Sequence, residues 1–460
     1  HRERSGRGRN DPAIVNAMEI AVGTAGKTVL FSAFTIAISV GGLLVIAAPL
    51  IRAVAVAGSA VVVFAVFSAI TLVPAVLALA GRRMTRPSVI TRLPLLGGLF
   101  RAVGDVSSEE GFFSRLARWV HRFPWLVMFG SFAILLAMAY PILNVNLRSN
   151  PLDYIPKASD QSEYLETVAD RFPLLQIPDV LIVTETTMAE AQEWADELVD
   201  DELVSRVNPV TQLSEGEYLI SMMLEIDSQH PDALQYVLDL RDHDPGFANW
   251  VGGSGAQMQD FNQALMDGGP WFALLVIAAV FVLLFLLTGS VIVPLKALIV
   301  NVLSLAASIG VTIFVFQESY FESALNFESS GGIEVIVLVF ALAFGFGLAM
   351  DYEVFLISRV KEYWDLLGDN DLAVERGLQK SGRIITSAAA IMMLLFVGLV
   401  LGDLIVIKEV GFALALTVFV DATLVRMLLV PATMTVLGKW NWWAPAPLRR
   451  LHERFGITEG

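Results

Sequence analysis

The chain has 460 residues, 55% of them hydrophobic and 17% charged, with a mean hydropathy of +0.64 and a net charge of -15. Such values lie outside the range of soluble domains and mark an integral membrane protein. With no cysteine there is neither a disulfide framework nor a thiolate metal site, and the five histidines (His1, His121, His230, His243, His452) lack ligand spacing.

A bilayer crossing takes about 20 apolar helical residues, and eight runs are long enough. Residues 1–81 close a first membrane half with spans at 27–46 and 53–79, 82–122 is a basic linker, and 123–142 is a third span. A soluble domain follows over 143–268. Five further spans (271–288, 292–316, 333–358, 384–402, 410–437) fill 269–438, and 439–460 is a tail. The linker carries Arg82, Arg83, Arg86, Arg92, Arg101, Arg115, Arg118 and Arg122 against three acids, which puts it in the cytoplasm by the positive-inside tendency. Alternate crossings bring the tail, with Arg449, Arg450 and Arg454, to the same side. The 143–268 domain then lies outside, and it is acidic, with about 24 Asp and Glu against 5 basic residues.

Within that domain the pattern reads strand 179–185, helix 188–200, strand 203–212, strand 218–226, helix 230–241 and a strand leading to "VGGSGA" at 251–256. This order predicts a split-βαβ, ferredoxin-like α+β module. The glycines of "VGGSGA" have no acidic ribose ligand in the Rossmann position, so a turn is expected there rather than a nucleotide site.

"LVPAVLALAG" (72–81) recurs as "LVPATMTVLG" (429–438), and "AGKTVLFSA" (25–33) is echoed by "SGRIITSA" (381–388). The chain therefore holds parts of two related membrane halves, an arrangement in which substrate and ion paths lie between the repeats. By the same offset the first-half counterpart of the helix around Asp351 falls just before His1, so a longer protein with about four more spans and a second external domain is expected.

Asp351 lies about 10 Å along its helix from the Ser358 end, inside the hydrocarbon. An acid there is kept when it is paired, faces a cavity or does work. It reads either as a carboxylate locked into helix packing or as a titrating proton relay, with Tyr352 beside it as a hydroxyl that donates and accepts. Gly345 and Gly347 are small residues that let a neighbouring helix come close. Glu353 is turned about 200° from Asp351, away from its pocket. Asp421 and Arg426, five apart in the last span, read as an ion pair or as a second relay station. Ser32 and Ser387 occupy matching repeat positions, where a serine usually bonds its own backbone. Lys296, Arg359 and Lys361 are expected to snorkel to the cytoplasmic interface, and Trp440, Trp442 and Trp443 to anchor it.

Three stretches, "FGLAMDYEVFLISRVKE" (346–362), "SGRIITSAA" (381–389) and "VDATLVRMLLVPA" (420–432), together resemble the second membrane half of the MmpL group of resistance-nodulation-division (RND) transporters. "AGKTVLFSA" resembles that group's fifth span, and "PLDYIPKASDQSEYLETVADRFP" (151–173) with "VGGSGAQMQDF" (251–261) its second porter domain. The resemblance implies an α-helical polytopic protein of the bacterial cytoplasmic membrane, here with eight transmembrane helices and one extracytoplasmic α+β porter domain. It further implies that Asp351 and Tyr352 are the relay pair of the tenth span, that Ser32 is a relay-lining serine, and that a partner Asp-Tyr pair belongs to a fourth span absent from this chain. Asp421, Arg426 and Ser387 would support the relay.

The leading expectation is proton-motive-force-driven export of lipids or amphiphilic small molecules, with the proton as coupling ion and neither cofactor nor metal. Partners are then membrane lipids and the substrate, not nucleic acid, with self-association or accessory proteins left open. The alternative is a non-transporting lipid sensor or scaffold on the same fold. An intramembrane aspartyl hydrolase needs two carboxylates about 3 Å apart. Counted from their outer span ends, Asp351 and Asp421 sit at about 27 and 17 Å, so no enzyme is expected.

Overall fold

The computed structural model describes residues 33–80, 111–148, 177–329 and 331–455, with a few isolated positions outside those ranges. Ser32, most of the basic linker and nearly all of 151–173 lie outside the described residues. Among those described, seven helices are long and apolar enough to cross a membrane, and an eighth apolar helix, α1 (Ala33–Val45), is shorter. They follow in the order α2 (Pro49–Ala80), α3 (Phe112–Arg122, amphipathic) and α4 (Pro124–Ala139). After the soluble domain, which contributes α5 and α6, come α7 (Ser254–Thr288), α8 (Ile292–Phe316), α9 (Val335–Leu367), α10 (Asn370–Val400) and α11 (Ile405–Trp442). A final helix, α12, spans Ala446–Phe455.

Four helices start earlier than hydropathy suggests: α2 at Pro49 instead of 53, α10 at Asn370 instead of 384, and α7 and α11. Helix α7 begins at Ser254, not at 271, and runs 35 residues. At 1.5 Å per residue it is about 52 Å long, so it leaves a bilayer core of about 30 Å and continues into the soluble domain. The polar stretch before Trp271 and the Gly268-Gly269-Pro270 sequence hid that continuation, yet Pro270 sits within the helix, and a Cβ at Gly268 would fall 2.8 Å from the Ile46 Cα. Helix α11 begins at Ile405 rather than 410, because Lys408 and Glu409 are buried within it, 4% and 1% exposed. Lys408 Nζ donates to the carbonyls of Leu325 (2.8 Å) and Val400 (3.4 Å), and the Glu409 carboxylate accepts from the Glu334 N–H (3.3 Å).

In the soluble domain, strands β2 (Val180–Glu185), β3 (Val204–Val207), β4 (Thr211–Ser214), β5 (Glu217–Leu224) and β6 (Ala248–Gly252) alternate with α5 (Met188–Val199) and α6 (Pro231–Asp242). The sheet order is β3-β5-β2-β6 with β4 beside β5, every pairing antiparallel. Two interleaved βαβ units give this order. The single strand expected over 203–212 is broken in two around Asn208-Pro209, since proline brings no N–H to a ladder. A Thr187–Glu190 capping box starts α5. Trp194, Leu198, Ile182, Ile220, Met222 and Val237 are buried between sheet and helices. The chain leaves β6 through Gly253, whose φ of +104° disfavours any side chain and where a Cβ would collide with the Asp179 carbonyl oxygen. Of "VGGSGA", Val251 and Gly252 end β6, Gly253 alone makes the turn, and α7 begins at Ser254.

A two-stranded parallel ribbon, β1 (Leu147–Arg148) with β7 (Ile333–Glu334), joins the way into the soluble domain to the start of α9. Arg148 also pairs with Asp227 of the domain at 2.9 Å. At the opposite end α3 lies against α10: Gln379 accepts from the Ser114 N–H at 2.9 Å, Arg118 meets Glu375 at 2.7 Å, and Phe113 fills the space over Gly382.

Between these ends the spans pack through small residues. A Cβ on Gly310 of α8 would stand 2.3 Å from the Met138 carbonyl, and one on Gly411 of α11 2.7 Å from the Phe396 carbonyl. Backbones in contact cannot yield as side chains do. Gly310→Val is therefore expected to cost about 1–3 kcal/mol through overpacking, read as a lowered melting temperature of the detergent-purified full-length protein. Gly398→Ala, with nothing within 4 Å of its Cβ, should leave that temperature unchanged.

Candidate functional site

The site is built where two spans abandon α-helical winding. Helix α9 takes a π turn over Ala341–Gly345, on the N-terminal side of Asp351, and α11 winds as a π-helix over Asp421–Leu429. In an α-helix, residues five apart are turned about 140° from each other. The i→i+5 winding of a π-helix stacks them instead. That is how Asp421 and Arg426 meet: Arg426 Nε donates to Asp421 Oδ2 at 2.8 Å and Nη2 to Oδ1 at 3.2 Å. Both residues are buried, 1% and 0% exposed.

Arg426 also reaches across to α9, where Nη2 donates to the backbone carbonyl of Ala349. Asp351 and Tyr352 follow within one turn, both half-buried. Charged neighbours of the Tyr352 hydroxyl are Asp421, Asp351 and Arg426. Asp351 lies one turn beyond Gly347, on the same face, and at Gly347 a Cβ would be 3.3 Å from Ile36 of α1. The carboxylate thus faces the side where the first-half helix packs. Gly345 makes the second close approach, where a Cβ would stand 3.0 Å from Leu305 of α8 and 3.4 Å from Thr417 of α11.

Asp421 and Asp351 are each 16 residues from the starts of their helices, Ile405 and Val335, but those starts are staggered, because Glu334, just before α9, bonds Glu409, four residues into α11. A shared-proton dyad does not form, since both oxygens of Asp421 accept from Arg426.

Other expectations meet different outcomes. Ser32 is outside the described residues, and Ser387 is exposed on α10, apart from the cluster. Lys296 does not snorkel: it is 8% exposed, one turn into α8, with Glu353 as its charged neighbour. Glu353 does point away from the Asp351 face, but into a pocket of its own against α8, where Asn301 Nδ2 donates to it at 3.0 Å. Arg359 and Lys361 pair with Glu362 and Asp365 on the outside of α9. Trp440 and Trp443 are exposed, while Trp442 stacks on Trp364.

Sequence reading missed the α8 side of the site, although it left a signal. Asn301, Ser304, Ser308 and Thr312 recur at spacings of three and four in an apolar span and form a buried polar stripe.

The model of the MMPL family matches residues 1–127 and 184–456. A membrane protein of Streptomyces coelicolor is 36% identical over 98% of this chain and 61% of its own length. The heme uptake protein MmpL11 of Mycobacterium tuberculosis is 30% identical over 97% of this chain and 46% of its own. The mycolic acid-containing lipids exporter MmpL11 of Mycolicibacterium smegmatis is 30% identical over 84% and 41%. The chain thus spans between 41% and 61% of the length of these relatives.

Removing one member of a buried ion pair strands the other, at a cost of about 3–5 kcal/mol. Arg426→Gln in the full-length protein should therefore lower the melting temperature sharply, and adding Asp421→Asn should recover a large part of the loss. A double variant no more stable than the single one would contradict the pairing.

Proposed function

The chain belongs to the MMPL family, and from that premise we propose that it works in proton-driven export of lipids or other amphiphilic molecules. The observation that carries this reading is the cluster of half-buried Asp351 and Tyr352 with the buried Asp421–Arg426 pair, beside two π-wound segments of the bundle. Charge held at that depth costs about 3 kcal/mol or more per group and is retained where it works. Arg426 is committed to Asp421 and to the Ala349 carbonyl, which holds α9 in register beside Tyr352. Asp351 is the acid of the layer that gains and loses a proton, because it faces α1 across the boundary between the two halves.

One proton moving through 100 mV releases about 2.3 kcal/mol, enough to shift a two-state equilibrium more than tenfold. The route to the soluble domain is short. Helix α9 continues into β7, β7 pairs with β1, and β1 holds the domain through Arg148 and Asp227. Movement of α9 with the protonation state of Asp351 would be felt by the domain, whose rearrangement would carry the cargo. Two relatives support an amphiphilic cargo, one named for mycolic acid-containing lipids and the other for heme. The second name also favours the opposite direction, inward movement on the same machinery.

Full-length protein in liposomes with a pH gradient separates these readings. Outward transport of a fluorescent lipid that collapses in Asp351→Asn and Tyr352→Phe, with binding retained, is the expected result. Gradient-independent transport would reject proton coupling, inward transport would reverse the direction, and binding without movement would indicate a sensor.

A further inference from the structure

Four polar atoms between α8 and α9 are buried without a hydrogen-bond partner: Lys296 Nζ, Asn301 Oδ1, Ser304 Oγ and Glu353 Oε1. Their residues are 8%, 1%, 1% and 0% exposed. Orphaned buried polar atoms are rare, and each costs free energy unless something satisfies it. Four in one seam, converging from two helices, make a site.

The seam is continuous with the Asp351 layer. Tyr352 has Asp351, Asp421 and Arg426 as charged neighbours, Asp421 has Arg426 and Glu353, and Lys296 has Glu353. Of these charged groups, Lys296 from α8 and Asp421 from α11 are the neighbours of Glu353. The direction is set by the helices. Helix α7 leaves the soluble domain at Ser254, so the α7–α8 turn at Thr288–Ile292 is on the far side, and Lys296 lies about 6 Å into α8 from it. Asn301 is about 7 Å further in, where it holds the other oxygen of Glu353.

We propose that Glu353, Lys296 and Asn301 form a second proton-exchange station, which takes water into the seam and passes protons between the Asp351 layer and the face opposite the soluble domain. Glu353 accepts a proton from a hydronium that carries it from the Asp351 layer, forming a carboxyl O–H and leaving neutral water. It then releases that proton to water on the Lys296 side, which regenerates the carboxylate and forms a hydronium there. The ammonium of Lys296 favours the ionised carboxylate and so drives the release, while Asn301 fixes the geometry of Glu353. Ser304 extends the water-binding stripe one turn toward the middle of the bundle.

This inference rests on the proton-coupled reading but can fail separately from it. The test is proton flux through the full-length protein in liposomes, read by a trapped pH-sensitive dye under an imposed gradient. Glu353→Gln and Lys296→Met should each slow the flux about tenfold or more, and Glu353→Asp should restore part of it. Lys296→Met is the decisive variant. Glu353 can stay protonated once the ammonium is gone, so no buried charge is stranded and the melting temperature should change little; slowed flux in a stable protein then marks a working group, whereas slowed flux with a lowered melting temperature overturns the proposal in favour of a packing role. Wild-type flux that survives intact in both Glu353→Gln and Lys296→Met overturns the station alone. A wild-type protein that passes no protons overturns the station and the proton-coupled reading together.

Discussion

A guanidinium in the middle of a helix bundle has to be neutralised on the spot, and the architecture around Arg426 follows from that requirement. Its partner Asp421 is five residues away, a spacing that an ordinary helix cannot bring together. The π winding of Asp421–Leu429 removes the obstacle. A guanidinium presents five donors and a carboxylate can take only some of them, so Arg426 also bonds the Ala349 carbonyl of the neighbouring span. Through that bond the pair determines where α9 sits, and therefore where Asp351 and Tyr352 lie.

The layer divides its acids by environment. Asp421 has a cation on both oxygens. Glu353 has an amide on one oxygen and a lysine in the vicinity. Asp351 sits on the face that meets α1, at the seam between two repeats, the position where transporters place their ion paths. Different surroundings for chemically similar groups are what a relay requires, because identical sites would hold the proton equally and give it no direction. The outer end carries a different device. Glu409 and Lys408 cap the start of α9 and the loops around it through backbone bonds, which holds the β1–β7 ribbon to the membrane bundle.

Much of this was legible in the sequence, and the failures have physical causes. Hydropathy located the spans because a bilayer admits little else, and period-two alternation located the strands. Boundaries failed where charge was buried instead of solvated: Lys408 and Glu409 look like a loop and are interior helix. Lys296 failed for the same reason, since a lysine near a span end ordinarily snorkels and this one faces Glu353. Glu353 was turned correctly away from Asp351, but rotation about one helix says nothing of the helix that waits on the other side. The stripe of Asn301, Ser304, Ser308 and Thr312 was readable by its spacing, and only its partner face required coordinates. Gly253 was legible as a turn. Pro209 announced its break in the strand, although the run was read as continuous.

The central claim is that Asp351 changes protonation while the Asp421–Arg426 pair stays ionised. Infrared difference spectroscopy of the full-length protein in lipid, on a step from neutral to acidic pH, measures this directly through the C=O stretch of protonated carboxyl groups in an apolar environment. The account predicts a reversible carboxyl band on acidification, part of which disappears in Asp351→Asn. A spectrum unchanged by Asp351→Asn would contradict it.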